Sequence, residues 1–471
     1  MNKKVRYLIF AVSSFAALVF AGVLFMAVFR LCPPVESGPQ PPWCVNEDRF
    51  ERDFEIGALT GFMRSSLMRL FPGKRVPESR YDPSTDTVDY FEMPAKKGSY
   101  AVAFGVAPSD FYWPVCDAWR SCVNPKKATH STIGRISSLG SEFVVFTDYA
   151  RITANKRIYE DSRALSRKDI DEKINAADKY GLVTVVLINL FPDEVSVRHS
   201  PGESGLENGR VFGKPHQMIA MDSWSPDEET MHLMFDRWEK IALEKAKKWG
   251  AADYIVINPE DMHFHFLTHP EIMNLRNKEL IEKTKQVYDG KVCVHFKSLD
   301  YLDSFPGLNY YLNADCVVLG GHLDYSGVDY DSGHLQSFFE NYFKHRFFEN
   351  LSGPEIFQMI SAMSYDKYLE DGWFEVFDYN ALGLEYKPDF KLQATVYESF
   401  FRALQNVQPN IKGIFHYGYW WHDENFSGFP GEADFFGVEF MNSIRNKDAE
   451  HIFYRWHSVV GGTPDNQEEG E

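Results

Sequence analysis

Between residues 99 and 416 the hydrophobic positions gather into eight short runs with little polar alternation. They are 99–107 (SYAVAFGVA), 142–147 (EFVVFT), 182–190 (LVTVVLINL) and 252–258 (ADYIVIN), then 291–296 (KVCVHF), 314–320 (ADCVVLG), 356–361 (IFQMIS) and 411–416 (IKGIFH). Continuous Val/Ile-rich runs of this kind are expected of strands buried on both faces. Segments of helical period separate most of them: 169–181, 234–250, 277–290, 335–353 and 392–407. Gly181, Gly250 and Gly290 close three of these segments where a helix C-terminus favours glycine. The weakest helical stretch is 301–312, which is short and aromatic. Eight buried strands alternating with helices predict an α/β protein, a closed (β/α)8 TIM barrel over residues 96–457. A doubly wound sheet is the weaker competitor.

The flanks have a different pattern. Lys3, Lys4 and Arg6 precede an uncharged apolar run from Tyr7 to Phe29, which Arg30 closes. A spanning helix needs ~20 apolar residues, and a secretory h-region only ~7–15. The run therefore predicts one N-terminal transmembrane signal-anchor over 7–29, with a cleaved signal peptide as the alternative. Basic residues on its N-terminal side predict a cytoplasmic tail over 1–6 and an extracytoplasmic body. The Pro-rich stretch 30–45 reads as a stiff spacer, 46–95 as a preamble without an assigned role, and 458–471 as a disordered acidic tail.

Composition narrows the classes of partner. The 471 residues carry a formal charge of −18, which argues against nucleic acid and anionic lipid surfaces. Membrane contact is then expected through the N-terminal helix alone. Phe, Tyr and Trp make up 15% of the chain; aromatic faces stack on sugars but also fill cores. Among the six cysteines, Cys116 with Cys122 and Cys32 with Cys44 could pair, while Cys293 and Cys316 fall in predicted strands and read as small core residues. No cysteine spacing resembles a zinc site and there is no phosphate-binding loop or serine nucleophile elbow, so neither metal nor cofactor is expected; a metal held by Glu260, Asp261, His263 and His265 is the weaker reading.

In a (β/α)8 barrel, chemistry belongs at the C-terminal strand ends. The fourth run ends Asn258-Pro259-Glu260-Asp261, followed by His263 and His265. There the Asn could bind a sugar hydroxyl while a desolvated Glu260 stays protonated to donate to a leaving oxygen. A turn capping the next helix is the alternative reading of the same residues. The eighth run ends in His416, Tyr417, Gly418, Tyr419, Trp420, Trp421, His422 and Asp423, which suits a sugar platform or packing at the rim. Other strand ends offer Tyr112, Asp148, Tyr149, Asn189, His322 and Asp324.

With the strands so placed, residues 99–457 resemble the retaining-clan β-glycanase barrels, the β-mannanase-like glycoside hydrolases among them. The passage 242–250 into Asp253-Tyr-Ile-Val-Ile-Asn-Pro-Glu260, the helix from Lys391, IKGIFHYGYWW and the closing NSIRNKDAEHIFYRW carry the likeness. The resemblance implies a general acid at Glu260 and a sugar floor at Trp420, with Trp421 as second choice. It also implies a nucleophilic Glu near Ser361, and no Glu is there. Asp366 or an acid from another strand, such as Asp324 or Asp148, could take that part; otherwise the barrel binds glycan without cutting it. The expected function is a membrane-anchored glycoside hydrolase acting on an extracytoplasmic polysaccharide. Asn258, Trp420, Trp421, Tyr419, His322, Asp148, Asn189 and Tyr112 would hold the sugar. The alternative is a catalytically inactive glycan-binding or scaffold protein.

Overall fold

The computed structural model of the chain describes residues 91–92, 95, 99–108, 125–152, 158–160, 165–192, 205–207, 210–212, 227–258, 269–296, 299, 307–320, 332–350, 353–364, 389–419 and 443–462. Its strands are β1 (Ala103–Pro108), β2 (Phe143–Ile152), β3 (Ile158–Glu160), β4 (Val183–Pro192), β5 (Gly205–Glu207), β6 (Arg210–Phe212), β7 (Tyr254–Asn258), β8 (Lys291–Phe296), β9 (Cys316–Gly320), β10 (Glu355–Ile360) and β11 (Gly413–Tyr419). The helices are α1 (Pro125–Ser138), α2 (Arg167–Lys179), α3 (Glu228–Lys248), α4 (Pro270–Val287), α5 (Ser332–Phe343), α6 (Arg346–Asn350), α7 (Phe390–Val407) and α8 (Asp448–Val460).

Eight strands, β1, β2, β4, β7, β8, β9, β10 and β11, pair in parallel in that order, and β1 pairs with both β2 and β11. The barrel is closed, and all eight runs expected from hydrophobicity are its strands. The doubly wound alternative falls, because an open sheet would leave β1 and β2 as unpaired edges. β3 adds an antiparallel edge to β2, and β5 with β6 forms a separate hairpin.

Local sequence explains several helix ends. Ser166 and Asp169 form a reciprocal capping box on α2, and Asp227 and Asp389 accept the N–H groups of Thr230 and Leu392. Gly181, just past α2, has φ +68°, a conformation that glycine reaches without strain. The stretch 335–353 is not one helix. It breaks at Lys344–His345, and the His345 ring accepts the Phe347 N–H that a continuous helix would give to a carbonyl. The weak segment 301–312 contributes only a 3-10 turn, Tyr310–Asn313.

Period-two alternation divides the strand residues into two cores. Residues facing outward, such as Phe104, Val186, Ile255 and Ile414, pack under the helices. Those facing inward, among them Val145, Leu187, Val256, Val318 and Met359, fill the barrel. Phe143, Phe357 and Phe415 meet inside it, the last two stacked at 4.9 Å between centroids, and plug the lumen. Gly105 is required there, since a Cβ would lie 2.5 Å from the Phe415 ring. Cys293 and Cys316 are register partners on this inner face, both buried as expected of core residues, and the structure joins them in a disulfide.

At the N-terminal ends of the strands, the backbone N–H groups of Phe104, Thr184 and Val292 donate to Glu142, Asp253 and Asp315. These carboxylates satisfy donors that the parallel ladder leaves open. Upstream of β1, the carbonyls of Phe91, Glu92 and Ala95 accept hydrogen bonds from Arg455, Arg402 and Gln405. α8 runs on past residue 457 to Val460, and Gly461 bridges to Val102. Among the described residues no helix is long and apolar enough to cross a membrane. The apolar run 7–29, the spacer, most of the preamble, the tail beyond 462 and the other four cysteines lie outside the described residues.

Candidate functional site

Above the phenylalanine plug the lumen face continues to the C-terminal strand ends. Unbroken register carries the inward parity of Phe143 and Val145 along β2 to Thr147 and Tyr149. Tyr149 pairs with Asn189 on β4, and Asn189 pairs with Asn258 on β7. These three residues make one rung across neighbouring strands. Asn189 is buried at 2% exposure. β8 adds His295, also buried, whose Nε2 lies 2.5 Å from the Gly320 carbonyl and therefore carries the proton. Gly320 has φ +80°, and a Cβ there would come within 2.6 Å of Gln358 Nε2. β11 adds Tyr417, packed against the inner core.

Ser361 follows β10 on the inward parity of Phe357 and Met359 and is buried. Its segment is held from outside the barrel. Gln393 donates to the Ala362 carbonyl at 2.7 Å, Asp389 N–H to the Ser364 carbonyl, and Lys447 Nζ to Ser364 Oγ at 2.8 Å. Behind β11, His416 Nδ1 meets the Tyr397 hydroxyl at 2.5 Å. Burial first, then the Lys447 charge, pushes the His416 pKa down to about 3, so its imidazole is neutral at physiological pH.

Two expected sugar contacts are corrected. Asp148 lies between Thr147 and Tyr149, so its side chain turns to the helix layer. There it accepts from Lys245 Nζ at 2.6 Å and from Trp249 Nε1 at 2.8 Å, fully buried. Tyr419 would face inward by simple alternation from Phe415 and Tyr417. A bulge intervenes: Ala107 pairs with Tyr417 but Pro108 with Tyr419, and Gly418 takes φ +110° as the extra residue. Tyr419 is thereby turned outward, and its hydroxyl donates to Glu450 at 2.5 Å. Glu450 also binds Arg135 through two hydrogen bonds, of 2.9 and 2.6 Å.

Asn189 lies on the lumen face of β4, and Asn258 stands at the end of the fourth barrel strand. Glu260, Asp366, Asp324, His322, Trp420, Trp421, Tyr112, His263 and His265 lie outside the described residues. Strand-end reading passed over His295; parity counted along β8 would have found it. Among the described residues no group of three or more His, Cys, Asp or Glu side chains is placed to hold a metal ion.

No protein-family model matches the chain, and no curated protein does. Solved structures do. A GH113 β-1,4-mannanase aligns at 14% identity over 76% of this chain and 99% of its own, with a TM-score of 0.51. The GH113 β-mannanase of Alicyclobacillus acidocaldarius, solved with ManMIm, aligns at 15% identity over 77% and 98%, with a TM-score of 0.49. A Bacteroidetes-affiliated GH5 cellulase aligns at 12% identity over 78% and 94%, with a TM-score of 0.40. The first of these likenesses establishes the fold, a (β/α)8 barrel of the same architecture, and at 14% identity it establishes the fold alone.

Proposed function

We propose that the chain is a membrane-tethered glycoside hydrolase acting on an extracytoplasmic polysaccharide. The observation that carries this reading is the polar rung Tyr149–Asn189–Asn258 at the mouth of a closed barrel, its last member two residues before Glu260. In this reading Glu260 is the general acid. Asp366 or Asp324 supplies the second carboxylate, and Trp420 or Trp421 a stacking face, with His322 and Tyr112 at the rim. Glycosidic cleavage needs two carboxyl groups and no cofactor. Solved barrels of this architecture that cleave β-1,4-mannan make the same chemistry the first to try. The disulfide between Cys293 and Cys316 fits a body that folds in an oxidising compartment.

One residue favours a second reading, that of a glycan-binding barrel without hydrolysis. Ser361 stands on the inner face at the end of the seventh barrel strand, where the resemblance asks for a nucleophilic Glu. A serine hydroxyl is not the carboxylate that forms a glycosyl-enzyme intermediate in the usual way.

The deciding experiment uses the full-length chain in detergent, incubated with a panel of β-linked polysaccharides, beside a Glu260→Gln variant. Reducing ends released by the parent and lost in the variant support hydrolysis with Glu260 as acid. Glycan binding without release, equal in both proteins, would replace hydrolysis with the second reading.

A further inference from the structure

The end of β9 is held from both faces of the sheet. On the lumen side, His295 of β8 donates from Nε2 to the Gly320 carbonyl at 2.5 Å. On the helix side, Gln358 of β10 donates from Nε2 to the Leu319 carbonyl at 3.2 Å. The same nitrogen reaches the Met359 carbonyl at 2.8 Å, and Gln358 Oε1 accepts from the Tyr342 hydroxyl of α5 at 2.9 Å. The last two carbonyls of one strand thus take side-chain donors from both neighbouring strands.

Packing alone calls for neither donor. The register partner of His295 is Val318, and Cys293 lies below it on the same face; both are apolar and buried. His295 and Gln358 are buried as well, and a buried polar side chain costs stability unless it is hydrogen-bonded. The backbone between the two donors is also constrained. Gly320 has φ +80°, and a Cβ there would lie 2.6 Å from Gln358 Nε2 and 3.0 Å from the Met359 carbonyl oxygen. Only glycine fits, so the direction in which the chain leaves β9 is set at that residue.

Place in the barrel gives this clamp a use. Gly320 ends the sixth barrel strand, and His322 and Asp324 follow it closely in the sequence. The seventh strand is held in a similar way at Ala362 and Ser364, ahead of Asp366. These are the two strands after which the second carboxylate of the proposed reaction comes. A reacting group misplaced by about 1 Å can cost roughly a hundredfold in rate, so a strand end that carries one gains from buried hydrogen bonds.

We propose that His295 and Gln358 are positioning residues, which hold Gly320 and Leu319 and so set the exit of β9 toward Asp324. The inference deepens the hydrolytic reading above and rests on it.

The test is reducing-end release from mannohexaose and cellohexaose by the full-length chain in detergent, with kcat and KM read separately per folded molecule. Gln358→Met keeps the side-chain length and removes the amide, on the helix face where no sugar in the lumen reaches it. It is expected to lower kcat about tenfold with KM within about threefold of the parent. His295→Leu is expected to do the same. His295→Gln, whose Nε2 can meet the same carbonyl, is expected to keep kcat within about threefold of the parent. Tyr342→Phe, which removes the donor to Gln358 Oε1, replaces Gln358→Met if that variant fails to fold, with an effect in the same direction. Folded variants with the parent's kcat would overturn the clamp. So would a loss confined to His295→Leu, which would make the histidine a sugar contact, or a His295→Gln variant as slow as the Leu one. A parent that cleaves neither sugar removes the hydrolytic reading and this role together, whereas an active parent with unaffected variants removes the role alone.

Discussion

Asp148 Oδ1 accepts a hydrogen bond from Lys245 Nζ at 2.6 Å, with both side chains at most 2% exposed. The pair joins β2 to α3, and Trp249 Nε1 satisfies the second carboxylate oxygen. Breaking one partner of such a pair strands a charge in the interior, at a cost of about 3–5 kcal/mol. Lys245→Met should therefore lower the chemical-denaturation midpoint sharply. Asp148→Asn should also destabilise, yet leave glycan affinity per folded molecule unchanged. A selective loss of affinity with stability intact would return Asp148 to the sugar site.

Tyr419 offers a parallel separation of roles. Its hydroxyl binds Glu450 inside a cluster that includes Arg135 and the Asn446 N–H. Tyr419→Phe removes one hydrogen bond to a buried charged group and should cost about 1.5–3 kcal/mol. Thermal unfolding reads that cost, and oligosaccharide titration should show no change.

The disulfide between Cys293 and Cys316 spans a sequence separation of 23 residues. A loop of that length restricts the unfolded chain by about 3 kcal/mol. Replacing both cysteines with alanine should lower stability by an amount of that order. Peptide mapping without reductant should recover one linked peptide pair. Two free thiols in protein secreted through an oxidising compartment would contradict it.

His416 predicts a pH dependence. Its folded pKa, pushed down to about 3, lies below the unfolded value of ~6.5, so between these pH values the unfolded chain binds a proton that the folded chain refuses. Stability should fall as pH drops through this window, with a slope from this group approaching ~1.4 kcal/mol per pH unit. Above the window the group has no effect. His416→Gln should flatten that part of the curve, measured by denaturant unfolding at pH 7, 6, 5 and 4; an unchanged slope would assign it to other groups.

Much of the barrel could be read from the chain because burial on both faces writes itself directly into composition. VTVVLINL and YIVIN are apolar apart from Thr184, Asn189 and Asn258, and a solvent-facing strand would alternate instead. The helices were visible for a related reason, through one apolar stripe and closing glycines such as Gly181 and Gly250. What composition omits is direction. Asp148 and Asn189 both sit near strand ends among hydrophobic residues, yet one side chain turns to the helices and the other to the lumen. That choice follows from register, which a strand takes from its neighbours. Tyr419 shows the limit more sharply: one extra residue at Gly418 reverses its side, and the bulge exists only because β11 must pair with β1. His295 and Ser361 became lumen residues in the same way. The sequence by itself determined the eight barrel strands, the buried class of each and most of the helices between them, since those depend on local pattern and solvent. Only the tertiary structure decided barrel closure, the joining of Cys293 to Cys316 and which strand-end residues face the mouth, because each is a relation between segments far apart in the chain.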